Sequence, residues 1–201
     1  MSLSNSRRTW GWRPAIALIV GAVVVSAALP ALFDVIEDAD PAATVPPDLR
    51  AALGPDLFQR LVPRALPVPD TTYSSGSDAV CDFRSDDRTV PRADTYGFLH
   101  VRVLRYGRIG WHSGADRAAE AHAWSCDASA IGGLFRDTSN LGDEACLAVQ
   151  DEGEGGTASG SAVVRRGADV FWVDYYTHPG TAAEAERAVT DTVSAALTAV
   201  P

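Results

Sequence analysis

The sequence contains no lysine: all 17 of its basic residues are arginine, set against 26 acids. With so much alanine, valine, aspartate and glycine, this reads as a GC-rich coding bias and not as a device of the fold. Cysteine is nearly as scarce. None precedes Cys81, which excludes a lipid carried on an N-terminal cysteine, and Cys81, Cys126 and Cys146 include no C-x-x-C, so their spacing argues against ligation of zinc by these thiols. In an oxidising compartment the simplest count is one disulfide and one leftover thiol, and the residues alone leave the pairing open.

The usual marks of catalysis are also missing. No H-E-x-x-H occurs, and no two of His100, His112, His122 and His178 stand at the i, i+4 spacing that aims two imidazoles at one metal. His122 lies on an apolar helical stripe and reads as a packing histidine. There is no G-x-S-x-G elbow, so a hydrolase would need Ser, His and Asp gathered from separate loops. The glycines of 153–160 are flanked by Asp151, Glu152 and Glu154, which would repel a phosphate, and they match neither a phosphate-binding loop nor a D-x-D-x-D-G calcium loop. No cofactor or metal is expected.

What is present is one long apolar run. Residues 14–33, PAIALIVGAVVVSAALPALF, carry no charge, and about twenty helical residues cover the hydrocarbon core of a bilayer. Arg7, Arg8 and Arg13 precede the run and Asp34, Glu37, Asp38 and Asp40 follow it, which places the N-terminus in the cytoplasm and the remainder outside. Trp10 and Trp12 fit an interfacial anchor. The length of the run favours an uncleaved anchor over a signal peptide cut near Ala27. Beyond it, 14 arginines meet all 26 acids, a net charge of −12, which argues against binding nucleic acid. The expected organisation is a cytoplasmic tail at 1–13, a transmembrane helix at 14–33, an acidic Ala/Pro linker at 34–47 and an extracytoplasmic domain at 48–201.

Within that domain, Leu49, Leu53, Leu57 and Leu61 predict two short helical pieces broken at Gly54-Pro55, and 67–78 is rich in turns. Alternation predicts strands at 79–84 and 98–106, and small residues at helical spacing, with Ser113 three before Asp116, predict a helix from there to Cys126. Strands follow at 145–150, 161–165 and 170–177, the last two as a hairpin, and a capping box at Thr181 and Glu184 opens a C-terminal helix. The order α-β-β-α-β-β-β-α implies an α+β fold, an antiparallel sheet of about five strands with helices on one face, preceded by one transmembrane helix. In Leu141–Ala145, L-G-D-E-A, the glycine before two acids predicts a backbone turn whose acid bonds free amides.

The C-x-F pattern at Cys81 to Phe83, the L-G-D-E-A run and the VVRRGADVFWV strand pair resemble small cell-envelope proteins and lipoproteins of unknown function from actinobacteria, over roughly Asp48 to Val200. The resemblance implies no catalytic residues. Many members look lipid-anchored and have a further cysteine near the first helix; this chain has neither, which leaves Cys81 to another partner, Cys126.

One sheet face stands out. If Leu99, Val101, Val103, Phe171, Val173 and Tyr175 point at the helices, the pleat sends His100, Arg102, Trp172, Asp174 and Tyr176 the other way, with Asp82 and Arg84 alongside. Trp, Tyr and Arg dominate binding hot spots because they bury large area yet keep a polar handle. The expectation is a membrane-anchored binding or sensing domain without catalytic activity, held in the bilayer by 14–33, with an unidentified envelope protein or ligand on this face. The alternatives are a secreted or anchored hydrolase and a structural subunit of a membrane complex.

Overall fold

The computed structural model describes residues 43–69, 71–86, 95–129 and 135–201. The tail at 1–13, the apolar run at 14–33 and the linker as far as residue 42 lie outside the described residues, among which no helix is long and apolar enough to cross a membrane. Residues 43–47 carry no regular structure.

Asp48 starts α1 (Leu49–Leu53) by accepting the otherwise unpaired amides of Arg50 and Ala51 at 2.9 and 3.4 Å. Gly54 ends it, and Pro55 opens α2 (Pro55–Leu61) at a position where no amide hydrogen is needed, which produces the expected break. The strands are β1 (Ala65–Pro67), β2 (Tyr73–Ser75), β3 (Asp78–Ser85), β4 (Tyr96–Arg105), β5 (Arg136–Asp137), β6 (Glu144–Asp151), β7 (Ala158–Arg166) and β8 (Asp169–His178), with α3 (Gly114–Ser129) between β4 and β5 and α4 (Ala182–Ala199) last. All pairings are antiparallel, in the order β1-β3-β4-β8-β7-β6-β5, with β2 beside β3.

The five expected strands are β3, β4, β6, β7 and β8. The other three of the eight are edge pieces of two or three residues, and 67–78, read as turns, also supplies β2 and the end of β1. Segments that short have no alternation to detect; they exist because β3 and β6 offer open edges to pair with.

The pleat sorts the core. Leu99, Val101, Val103, Phe171, Val173, Ala162 and Val164 bury their side chains against Leu49 and Phe58 of the first two helices and Ala185, Val189, Val193 and Ala196 of α4. Full burial of a side chain such as Phe171 is worth about 1.5–3 kcal/mol. At Gly160 of β7 an added Cβ would stand 2.8 Å from Val189 and 3.0 Å from the Ala185 carbonyl, so the glycine is what lets α4 lie this close. The Thr181–Glu184 capping box is formed in both directions, and Arg166 donates to the carbonyls of Leu197 and Val200 at the other end of α4.

The expectation that all helices share one face is corrected by α3. Its Ala118, with Ala121 and Cys126, packs on Cys146, Val163, Val170 and Trp172, on the side of the sheet away from α4. The small residues of α3 do let it lie on the sheet, but a stripe of alanines carries no mark of which side it meets. The pairing of Cys81 with Cys126 is corrected too. Cys126 is bonded to Cys146, and Cys81 is free and buried. The reason is pleat parity: Cys81 shares the α4 side with Ala79 and Phe83, whereas Cys146 points at α3.

The L-G-D-E-A turn is as expected. Gly142 has φ +62°, and Asp143 accepts the Gly167 amide at 2.7 Å and the Arg165 guanidinium at 3.1 Å, locking the β7–β8 hairpin to the start of β6.

Candidate functional site

The register of the four middle strands sets one row of side chains across the sheet face that points away from α4. Asp82 of β3 is opposite His100 of β4, His100 is opposite Asp174 of β8, and Asp174 is opposite Ser161 of β7. One residue pair along, Arg102 faces Trp172; one pair the other way, Phe98 faces Tyr176. All five residues expected on this face, with Asp82 and Arg84, therefore share it. It is not covered by the N-terminal helices, which pack on the other side; α3 covers the Trp172 end.

At the centre, Nδ1 of His100 lies 2.5 Å from Oδ1 of Asp82, whose residue is only 6 % exposed. Facing a carboxylate, Nδ1 is the nitrogen that donates, so the pair fixes the ring's orientation. Asp82 is held along the outer edge of β3, at the gap between its two edge partners β1 and β2: its amide donates to Thr72 Oγ1 at 3.2 Å and its carbonyl accepts from the Val68 amide at 2.9 Å. Next in the row, the Ser161 hydroxyl donates to the exposed Asp174 carboxylate at 2.7 Å. The serine is thus engaged with an acid and not with the histidine, so these residues do not form a Ser–His relay. At the far end Tyr176 and Tyr96 share a hydroxyl contact of 3.3 Å, and Tyr96 also stacks on His178 with ring centres 5.0 Å apart. The Tyr176 hydroxyl holds the Tyr96 phenol above its ordinary pKa.

Arg102 and Trp172 serve differently. Arg102 forms a two-point pair with Asp78 at 3.0 and 2.8 Å, and its guanidinium lies 5.3 Å over the Trp172 ring. The indole N–H donates to Ser125 of α3 at 3.2 Å, and Tyr73 donates to Asp78 at 3.1 Å. Burial, the largest influence, pushes the Asp78 carboxyl up, but the hydrogen bond and charge of Arg102 outweigh it and hold the group below its ordinary value. Trp172 thus ties α3 to the sheet with Arg102 stacked on its ring, and beyond α3 the face carries His100, Asp174, Tyr176 and Ser161.

Two clefts lie off this face. One, of about 460 Å³, is lined by Asp48, Arg50, Gln59 and the stacked rings of Phe58 and Phe83; another, of about 400 Å³, sits among Arg60, Glu184, Arg187 and Asp191. In the first, Asp48 and Gln59 are already used, as the α1 cap and as a donor to the Ala65 carbonyl.

Sequence reasoning missed Ser161, which period-2 alternation from Val163 and Arg165 would have put in the row, and it missed the surroundings of His122. That imidazole is buried between Cys126 and Glu144, and the His122-x-x-x-Cys126 spacing was the readable signal. No family model, curated protein or solved structure matches the chain at a significant level.

Proposed function

We propose that the chain is a single-pass, membrane-anchored envelope protein whose extracytoplasmic domain binds a ligand or partner through His100, Asp174 and Tyr176, without catalysing a reaction. The observation that carries this reading is the Asp82–His100 pair. A buried carboxylate is costly unless bonded, and this one is spent on orienting a half-exposed imidazole on a face the core does not need. Around it stand hydroxyl and carboxylate acceptors and stacked aromatic rings, a chemistry suited to hydroxyl-rich or cationic ligands, and the charge of −12 beyond the apolar run disfavours anionic ones.

Export and anchoring are supported by three further points. The Cys126–Cys146 disulfide fits an oxidising compartment. The resemblance to actinobacterial envelope proteins points the same way. The chain also enters the domain at a fixed corner: Arg105 holds Thr44, Asp169 and the Pro201 carbonyl together, and the loop that follows β4 exposes the apolar side chains Ile109 and Trp111.

The test is photo-cross-linking of the full chain in its membrane. Asp174→Ala and Tyr176→Ala are expected to abolish cross-links that Trp124→Ala, on the exposed side of α3, leaves intact. Cross-links unchanged by both face variants would remove this site, and cross-links that need only residues 1–33 would make the chain a structural subunit. Turnover of ester, peptide or glycan substrates, lost on changing a single Ser, His or Asp, would replace binding by hydrolysis.

A further inference from the structure

At the end of this same sheet face that α3 covers, the helix carries His122 and Cys126 one turn apart, and β6 brings Cys146 beneath them. His122 Nε2 is 3.5 Å from Cys126 Sγ, and one donor atom from each of the three residues falls within 4.8 Å of the others. His122 and Cys146 are buried and Cys126 is half-buried, which leaves one side of the cluster open to solvent. On the other side of the ring, His122 Nδ1 is 3.7 Å from Glu144 Oε2, the arrangement in which a carboxylate orients a metal-binding imidazole with its free nitrogen toward the ion. Arg165 holds that carboxylate at 2.8 Å.

With the sulfurs bonded to each other, neither has a charge to offer a metal. We propose that His122, Cys126 and Cys146 form a redox-gated site for a divalent ion of the zinc class, closed in the disulfide form and opened by reduction. A dithiol protein or small thiol, RSH, supplies the electrons: the S–S bond takes two electrons and two protons from two RSH, giving two cysteine thiols and RSSR. The ion then displaces both thiol protons and takes the Nε2 lone pair. Two thiolates balance its charge, and three protein ligands within reach of bonds of about 2.0–2.3 Å leave a fourth position for water on the open side. The missing C-x-x-C is no obstacle, because the helix turn and the strand supply the convergence. Cys81 cannot take part, since it lies on the opposite face of the sheet.

The test uses the full chain in detergent, reduced with a phosphine that is then removed without air, and titrated with cobalt(II) as the probe. One equivalent is expected to give a thiolate-to-cobalt charge-transfer band and tetrahedral d–d bands, both erased by zinc, and the oxidised protein gives neither. Glu144→Gln is expected to weaken binding at least about tenfold, the usual effect of losing a carboxylate behind a ligating histidine, and His122→Ala to weaken it more. The proposal is overturned if the reduced chain shows no charge-transfer band, if His122→Ala titrates like the wild type, or if reduction unfolds the domain and the metal does not restore its circular dichroism.

Discussion

Breaking the Cys126–Cys146 link tests the placement of α3 most simply, because the two residues join a helix to a strand on the side of the sheet that α4 does not support. They stand 20 apart in sequence, and closing a loop of that size removes about 11 cal/mol/K of entropy from the unfolded chain, or about 3.3 kcal/mol at 25 °C. In a domain of this size each kcal/mol moves the thermal midpoint by about 2–4 °C, so the double change Cys126→Ala and Cys146→Ala should lower it by roughly 7–13 °C. Alanine is the right replacement, since a serine at Cys146 would bury an unpaired hydroxyl. The assay is thermal unfolding of residues 43–201 followed by circular dichroism, beside the wild type reduced by a phosphine. Reduction should reproduce most of the shift without any mutation. A loss below about 1 kcal/mol in both samples would refute the reasoning, and with it the placement of the link across the α3 layer.

Three other outcomes are expected. Gly142→Ala would place a Cβ 2.4 Å from the Arg165 carbonyl at φ +62°, and a loss of at least about 2 kcal/mol in urea unfolding is expected. Because the Asp78 carboxyl is held below its ordinary value of about 3.9, the Asp78–Arg102 pair stabilises the fold above that pH, and its contribution fades as pH falls through the lower folded value. The Arg102 side chain is 39 % exposed, so screening keeps the amount below about 1 kcal/mol, and Asp78→Asn should lower stability at neutral pH by no more than that and flatten that part of the acid limb. Burial, aided by Asp48 and Asp82, pushes the Cys81 thiol up to about 12, so at pH 8 an alkylating agent should leave the folded protein untouched; unfolded without reductant the chain should take one group, and after reduction three.

What could be read from the residues was what repeats locally. β4 and most of β8 alternate, so their parity placed Leu99, Val101, Val103 and Phe171 in the core and His100, Arg102, Trp172, Asp174 and Tyr176 on the other face. Thr181 and Glu184 announced α4 because a capping box is chemistry within four residues. What escaped depends on partners distant in sequence. β1, β2 and β5 have two or three residues each and gain their geometry only from β3 and β6. The side of the sheet that α3 chooses left no trace in a helix whose small residues fit either, and β6, with Ala145, Cys146, Leu147 and Ala148 all apolar, hides the parity that would have aimed Cys146 at Cys126. The face itself was legible, but its division was not. That Arg102 pairs with Asp78 and Trp172 bonds Ser125 of α3, while His100, Asp174 and Tyr176 lie beyond that helix, follows from contacts between strands and α3 that no local pattern encodes.

The most direct test of the proposed binding face is hydroxyl-radical footprinting of the full chain in the intact cells that make it, compared with the purified protein. His100, Tyr176 and Tyr96 should be oxidised several-fold more slowly in the cells, while the exposed Trp124 reacts equally in both. Equal reactivity of His100 and Tyr176 in the two samples would contradict the account and leave that row of side chains as ordinary solvated surface.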